Sequence, residues 1–450
     1  MPAYQITQHI RYGLTPLPFG TFATEGSNVV YAGDVRRHWA SGAINRKKGN
    51  KMLILTSKKD YKNLDLKLKE EINNYLAFII EKCPFYRKEF KNIKPTIDTF
   101  YELPLTYDYE LMEDPKSFIG LEDRIIQLCS TGGTYGKRKI IFRTNEDIEK
   151  SIEIATKMFK ACDIKSADRI AILQPFDLWN IGHIALRVFQ KIGALSCPIG
   201  LSGTDEFILW LLSEMQCNVI YTTPSKAVHL AELSREKEIN SKIDIEKVLC
   251  AGEPILPIHR QKLKEIWNAE IYGIYGSEET DGIGAECKMH DGYHIFDDYL
   301  ILEILNPKTL KPAEGNRGVL AVTKLDYTGT ILIRYLLGDL AELITEKCSC
   351  GISSPKIKIF GRIKETLWLY DGLKVPITSI EDAIKSVIGY LPIYQVIIEH
   401  ESGKDRLTFV INSEPSKELE NKFMEAIISS TQELEETFHL EKKVSLNCIH

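Results

Sequence analysis

The chain has 450 residues, 44% hydrophobic and 26% charged, and its 57 Lys and Arg nearly balance 62 Asp and Glu for a net charge of -5. That is enough chain for roughly two or three domains and a large core, and the balance offers no basic excess or basic stripe for nucleic acid. The longest apolar runs, such as Phe207 to Leu212, are far too short to span a bilayer. Met1 to Gly20 holds no continuous apolar segment, so no secretory signal is expected. The ten cysteines are mostly scattered at buried-looking positions (Cys129, Cys162, Cys197, Cys217, Cys250), which suits a reducing cytoplasm better than a disulfide framework.

Residues 1–51 are rich in Gly, Ala, Thr and Arg, whereas the remainder is rich in Ile, Lys and Glu; they read as an N-terminal extension without assigned chemistry. From Leu64 to Phe90 the spacing is helical, with Leu66, Ile72, Leu76, Ile79 and Ile80 on one face. Cys83-Pro84-Phe85-Tyr86-Arg87 breaks and restarts it. Leu103 to Thr106 is a capping turn before a short helix. Ile125 to Cys129 and Ile140 to Phe142 are strands flanking a Gly-rich loop, and a helix follows from Asn145 to Ala161. Strands are expected at Arg169 to Gln174, Ala194 to Ile199, Asn218 to Tyr221 and Val248 to Cys250, with helices at Ile181 to Gly193 and Thr204 to Met215. This alternation predicts an α/β core with a largely parallel sheet, whose ligands sit at the carboxyl ends of strands. After Ile295 short alternating strands (Tyr299 to Leu305, Gly318 to Thr323, Thr330 to Tyr335) predict a β-rich subdomain. Beyond Gly361-Arg362 come a hairpin (Thr366 to Lys374), a helix (Ser379 to Val387), two strands (Tyr394 to Glu399, Arg406 to Ile411) and a helix (Glu418 to Thr431). That is a small α+β domain of about 90 residues.

The chemistry concentrates in Ser130-Thr131-Gly132-Gly133-Thr134-Tyr135-Gly136-Lys137-Arg138-Lys139. Glycines let backbone N–H groups turn toward an anion, hydroxyls donate to its oxygens, and cations neutralise it; the matching ligand is a polyphosphate. An ordinary Gly-rich hairpin is the plain alternative. The stretch is not a Walker A loop, because Thr131 stands where the first Gly belongs and Arg138 follows Lys137.

Six stretches in order resemble the adenylate-forming superfamily of acyl-CoA synthetases, adenylation domains and luciferases, with phenylacetate–CoA ligase as the most similar branch. Ser130 to Lys139 resembles its phosphate loop, Cys83 to Arg87 its "PFYR" signature and Ala251-Gly252-Glu253-Pro254 its "GGEP" turn. Tyr275-Gly276-Ser277-Glu278-Glu279 resembles "YGSTE", and Arg334 to Asp339 resembles "RYRTGD". Gly361-Arg362, with Gly372 and Ile380-Glu381, resembles the start of the family's mobile C-terminal domain. The resemblance implies an AMP-binding adenylation core over residues 52–360 and a shortened lid over residues 361–450. A homodimer is a family-level expectation.

The implied reaction joins a carboxylate and ATP into an acyl-adenylate and pyrophosphate, then passes the acyl group to coenzyme A or to the phosphopantetheine of an acyl carrier protein. No protein nucleophile is needed, so catalysis is positioning plus charge stabilisation. By resemblance, Thr131, Thr134 and Lys137 hold the phosphates, with Ser130, Gly132, Gly133 and Gly136 shaping the cradle. Glu279 holds Mg²⁺, Tyr275 stacks on adenine beside Gly276 and Ser277, and Gly252, Glu253 and Pro254 line the nucleotide. Asp339 accepts the ribose hydroxyls, and Arg362 orients ribose and phosphate. Plain readings stand beside these: Glu278 and Glu279 as two solvated acids, Asp339 as a turn residue, Tyr275 as core.

Several departures qualify the match. Leu336 and Leu337 replace a polar pair, Arg138 replaces Pro, and Lys364-Glu365 stand where the hinge usually carries Asp. No Gly-Lys motif carrying the family's catalytic lysine is visible near the C-terminus, where only Lys442 and Lys443 offer a substitute. Its loss would slow adenylation while leaving binding intact.

Independently, Cys287-x-x-His290 and Cys348-x-Cys350 offer a Cys₃His set for a structural zinc, with His294 a rival for the fourth position and free thiols the alternative. Some phenylacetate–CoA ligase-like proteins are similar here and carry a zinc. Phe176-Asp177-Leu178-Trp179-Asn180-Ile181-Gly182-His183 resembles the family's substrate-lining segment; Phe176, Trp179 and His183 suit a flat aryl acid, and helix-entry packing is the rival reading. Cys448, the third residue from the end, is similar in place to the acyl-acceptor cysteine of acyl-protein synthetases, with an unremarkable exposed thiol as the plainer reading. The expected function is ATP-dependent activation of a carboxylic acid, aromatic in class. The rivals are a nucleotidyl transferase that releases an AMP adduct, an acyl-protein synthetase, and a non-catalytic nucleotide-binding protein.

Overall fold

The computed structural model describes residues 53–131 and 138–362, and then residues 366–368, 374–389, 394–401, 404–411, 417–429 and 444–448. These residues divide after position 365 into two units.

The larger unit opens with β1 (Leu53–Leu55), α1 (Lys58–Lys62), α2 (Leu66–Lys82), α3 (Pro84–Glu89) and α4 (Asp108–Glu113). Pro84 falls at the first position of α3, where its missing N–H costs nothing, which is why the helical run breaks and restarts there. A separate antiparallel hairpin follows, β2 (Ile125–Ser130) with β3 (Ile140–Thr144), pairing Ser130 with Ile140. Thr144 then caps α5 (Asn145–Ala161) in a capping box with Asp147.

The doubly wound half comprises β4 (Arg169–Ile172), α6 (Asn180–Ile192), β5 (Leu195–Pro198), α7 (Asp205–Glu214), β6 (Val219–Thr222), α8 (Pro224–Glu236), β7 (Lys247–Cys250), α9 (Pro257–Trp267) and β8 (Glu270–Ser277). The strands are parallel in the order β5-β4-β6-β7-β8. Ile170 and Ile172 of β4 pack with residues of α5 and α6, whereas Ala171 and Leu173 pack with residues of α7, α8 and α9. Both faces are therefore covered, and the strands read as unbroken apolar runs. The chain leaves β4 for β5 on one side and returns to β6 on the other. The carboxyl ends of β4 and β6 thus flank the topological switch point, where such sheets bind ligands.

The sheet then turns antiparallel without a break. It continues from β8 through β9 (Asp281–Glu286), β10 (Tyr293–Ile295), β14 (Lys356–Arg362), β13 (Tyr335–Ile344), β12 (Arg317–Lys324) and β11 (Leu300–Leu305), and ends with β1 parallel to β11. The expected change of pattern at Ile295 is corrected: it falls at the β8–β9 hairpin, and the β-rich part extends the same 12-stranded sheet. The strand expected from Thr330 to Tyr335 is corrected as well, since β13 starts at Tyr335. Arg334 takes a left-handed conformation (φ +48). Its buried guanidinium pairs with buried Glu303, which also accepts from Tyr61 Oη at 2.5 Å, so a tertiary ion pair sets the backbone here.

In the smaller unit β15 (Thr366–Trp368) and β16 (Lys374–Pro376) form a hairpin before α10 (Ile377–Ile388). β17 (Tyr394–Glu401) and β18 (Lys404–Ile411) pair antiparallel, α11 (Lys417–Ser429) follows, and β19 (Val444–Cys448) joins β18 in parallel. Phe409 and Phe423 meet edge-to-face at 5.2 Å in its core. The role considered for Cys448 has no described side chain behind it, and Lys442 and Lys443 lie outside the described residues.

Candidate active site

The site grows from the ends of β2, β4, β7, β8 and β13. Of the phosphate loop, Gly132, Gly133, Thr134, Gly136 and Lys137 lie outside the described residues. Its base is described. Thr131 N donates to the Lys139 carbonyl at 3.1 Å, and Lys139 N returns a bond to Thr131 Oγ1 at 3.3 Å. Ser130, buried, donates its N–H to the Leu178 carbonyl at 2.8 Å. That bond joins the loop to the segment expected to line the acyl pocket.

The β8–β9 hairpin presents the acidic pair. Gly276 is required there, because a Cβ would lie 2.1 Å from the Asp281 carbonyl oxygen. Ser277 Oγ meets Thr280 Oγ1 at 2.9 Å and closes the turn. Glu279 is buried, ion-paired with Lys139, and accepts from Tyr335 Oη at 3.0 Å. Burial pushes its carboxyl up, but the Lys139 charge and hydrogen bonds outweigh this and hold it below the usual range. Glu279 is therefore an anion held in place in a buried site, the right state for a hard cation. Lys139 and Tyr335 carry no role in the sequence reading. The signal was present, since both fall inside the quoted motifs, but nothing in one dimension shows that they meet.

Glu278 is not a solvated acid. Burial pushes its carboxyl up to about 7, and its Oε1 accepts from the backbone N–H of Asn180 at 2.9 Å. Asn180 opens α6, whose N-cap Trp179 supplies no side-chain cap, so Glu278 satisfies an otherwise open N–H. Behind it Arg143 pairs with Asp281 at 2.6 Å and donates to the Glu278 carbonyl at 3.0 Å. Ser151 Oγ and Asn180 Nδ2 complete the Asp281 shell at 2.6 and 3.2 Å. Arg143, Ser151, Asn180 and Asp281 are scattered polar residues that sequence reading could not assemble.

The ribose end is equally built. Asp339, buried on β13, accepts from Tyr275 Oη at 2.7 Å and from Arg362 Nε at 3.2 Å. Asp339 pairs directly with Arg362 across the β13–β14 register at a bulge. Burial raises both the Asp339 carboxyl and the Tyr275 phenol. The Tyr275 ring lies 5.6 Å from that of Tyr293. At the end of β7, Gly252 has φ +87, and Glu253 accepts from Ser225 Oγ at 2.5 Å near the start of α8, with Pro254 exposed beside it. In the acyl segment Phe176 and His183 meet edge-on at 5.5 Å, and His183 Nε2 lies 3.4 Å from the Asp177 carbonyl oxygen. Trp179 is half-buried at the helix entry.

The Cys₃His set assembles with one correction. Cys287, His294, Cys348 and Cys350 place their ligand atoms within 4.8 Å of one another. Cys287 Sγ is 3.7 Å from Cys348 Sγ, and Cys350 Sγ is 3.3 Å from His294 Nε2. His294 Nδ1 lies 3.1 Å from the Ser354 carbonyl, which orients Nε2 toward the thiols, and burial holds the ring neutral. His290 is not part of this set. It sits in a left-handed turn (φ +51), beside Glu270 at 3.4 Å and Glu286 at 3.6 Å. Three thiols and one neutral imidazole at this spacing fit a tetrahedral zinc.

No family model matches the chain. Sequence relatives are clear: the chain is 26% identical over 361 residues to the phenylacetate–coenzyme A ligase of Thermus thermophilus, covering 77% of this chain and 81% of that protein. It is 25% identical over 356 residues to the Escherichia coli enzyme of the same name, covering 76% and 80%. Among solved structures, an open conformation of 2-hydroxyisobutyryl-CoA ligase, in complex with 2-HIB-AMP and CoA, superposes with a TM-score of 0.69 at 20% identity, covering 85% of this chain and 88% of that one. In fold and in sequence the chain is similar to adenylate-forming ligases. Among these, the chain is similar to the phenylacetate–CoA ligase-like enzymes.

Proposed function

We infer that the protein is an acid–thiol ligase that activates a carboxylic acid with ATP and transfers the acyl group to coenzyme A. The carboxylate oxygen attacks the α-phosphorus and pyrophosphate leaves. The thiol sulfur then attacks the acyl carbon, AMP leaves, and the thiol proton passes to solvent. The observation that carries this reading is the pairing of two buried acids on one face, Glu279 held by Lys139 and Tyr335, and Asp339 held by Tyr275 and Arg362. The first suits Mg²⁺ on the phosphates and the second suits the ribose hydroxyls, the two ends of a nucleotide. The names of the sequence relatives and the adenylate and CoA in the complexed neighbour support the same chemistry.

An aromatic acid is the finer reading, supported by Phe176, His183 and Trp179 around the entry to α6. Zinc at Cys287, His294, Cys348 and Cys350 belongs to the same proposal; four protein ligands leave no open position, so it is structural. The test is ATP–pyrophosphate exchange against aryl, amino-aryl and fatty acids, with Mg²⁺ and no thiol. Exchange with one acid class supports the reading and names the substrate. No exchange with any acid, alongside calorimetric ATP binding, overturns it.

A further inference from the structure

Gln174 follows β4 at the topological switch point and is only 4% exposed. Leu173 still bonds to the Tyr221 carbonyl at 2.8 Å and packs toward α7 to α9, and the chain bends at Gln174. There its Nε2 is fully buried and makes no hydrogen bond among the described residues. The next residues are Pro175 and Phe176 of the acyl segment. Gly182 of α6 packs so tightly on them that a Cβ would lie 2.4 Å from the Pro175 carbonyl. From the other side Gly200, at φ +72, would bring a Cβ to 3.6 Å from Phe176 and 4.0 Å from the Gln174 carbonyl.

A buried amide without a partner is unfavourable, and a Leu of similar size would fit an apolar strand end without that cost. Of the other orphaned atoms, those of Arg143 and Arg334 belong to guanidinium groups already ion-paired, Tyr327 lies under two lysines, and the Glu71 carboxylate faces Lys67 through its second oxygen at 4.0 Å. Gln174 and Thr222, just past β4 and at the end of β6, have no such account, and both stand where doubly wound sheets bind ligands.

We propose that Gln174 is a specificity-determining residue, its Nε2 donating to a hydroxyl or oxo oxygen carried by the acid substrate away from its carboxylate. The proposal rests on the acid-activating reading above and narrows its substrate class.

The experiment compares wild type with Gln174→Leu in pyrophosphate exchange, using aryl acids with and without a hydroxyl at successive ring and side-chain positions. The expected wild-type result is a preference of about tenfold or more for one hydroxylated acid over its parent. In the variant that ratio falls to near one, while the melting temperature stays level or rises because an orphaned amide is gone. An unchanged ratio overturns the proposal. So does a variant that melts lower and loses both acids equally, which is the mark of a structural amide. If wild type exchanges with no acid, the adenylation reading fails by itself. Acid-induced thermal shifts of the same two proteins then judge Gln174 alone, and equal shifts, or none in either, overturn it.

Discussion

Glu279 lies between Lys139 and Tyr335 and is held ionised, whereas Glu278, one residue earlier, caps α6 and has its carboxyl pushed up to about 7 by burial. Glu279→Gln keeps the shape and removes the charge. Mg²⁺-dependent turnover is expected to fall by about 10²-fold or more, with circular dichroism showing a folded protein; unchanged turnover would sink the metal role. The Glu278 carboxyl gives a pH prediction of definite sign. Its folded value is raised from 4.5 to about 7, so across that window the folded protein holds a proton that the unfolded chain releases. Stability from this group is present below the window and is lost as pH rises through it. Glu278→Gln, neutral throughout, should therefore melt above wild type at about pH 8 and close to it at about pH 4, with a ceiling of about 3 kcal/mol. A difference that ignores pH would refute the buried carboxyl. Both acids were visible in the sequence as neighbours; that one faces Lys139 and the other a helix terminus is a matter of the hairpin's geometry.

Elements with strong periodicity were the legible ones. The helix expected from Asn145 to Ala161 is found with those bounds, because its apolar stripe and its Thr144 cap lie within one short window. β9 and β10 were missed, since Asp281-Gly282-Ile283-Gly284 is a weak strand former by propensity and is held by pairing on both sides. β10 is also the element that decides the metal set. His294 pairs with Lys356 across β10 and β14, while His290 stays in the preceding turn. Cys-x-x-His spacing favoured His290, and only the strand register favours His294. His294→Ala should abolish zinc retention measured by elemental analysis and lower the melting temperature, whereas His290→Ala should keep about one zinc per chain. The opposite pattern would restore the first assignment.

Within the larger unit the parallel and antiparallel halves form one sheet, and the Tyr275–Asp339 and Tyr335–Glu279 bonds bring the end of β8 to β13 although β9, β10 and β14 lie between them in strand order. The far edge is closed by β1, whose Leu53 and Leu55 are buried and pair with β11. A chain beginning at Met52 should keep this edge. One beginning at Lys58 exposes β11 and loses two buried leucines, for a cost of about 3 to 6 kcal/mol in chemical denaturation. Equal stability of the two would show that β1 adds nothing. No helix among the described residues is long and apolar enough to cross a membrane.

The sequence by itself determined the alternation of strands and helices, the Gly-, hydroxyl- and cation-rich composition of Ser130 to Lys139, and an order of motifs that resembles that of adenylate-forming ligases. These are local signals, written in spacing and residue type within windows of ten or twenty residues. Tertiary structure alone decided that Lys139 and Tyr335 grip Glu279, that Arg362 reaches Asp339, and that His294 displaces His290. It also left the Gln174 amide buried at the switch point. Such contacts join residues far apart in sequence through strand register and burial, and neither quantity has a trace in a short stretch of chain.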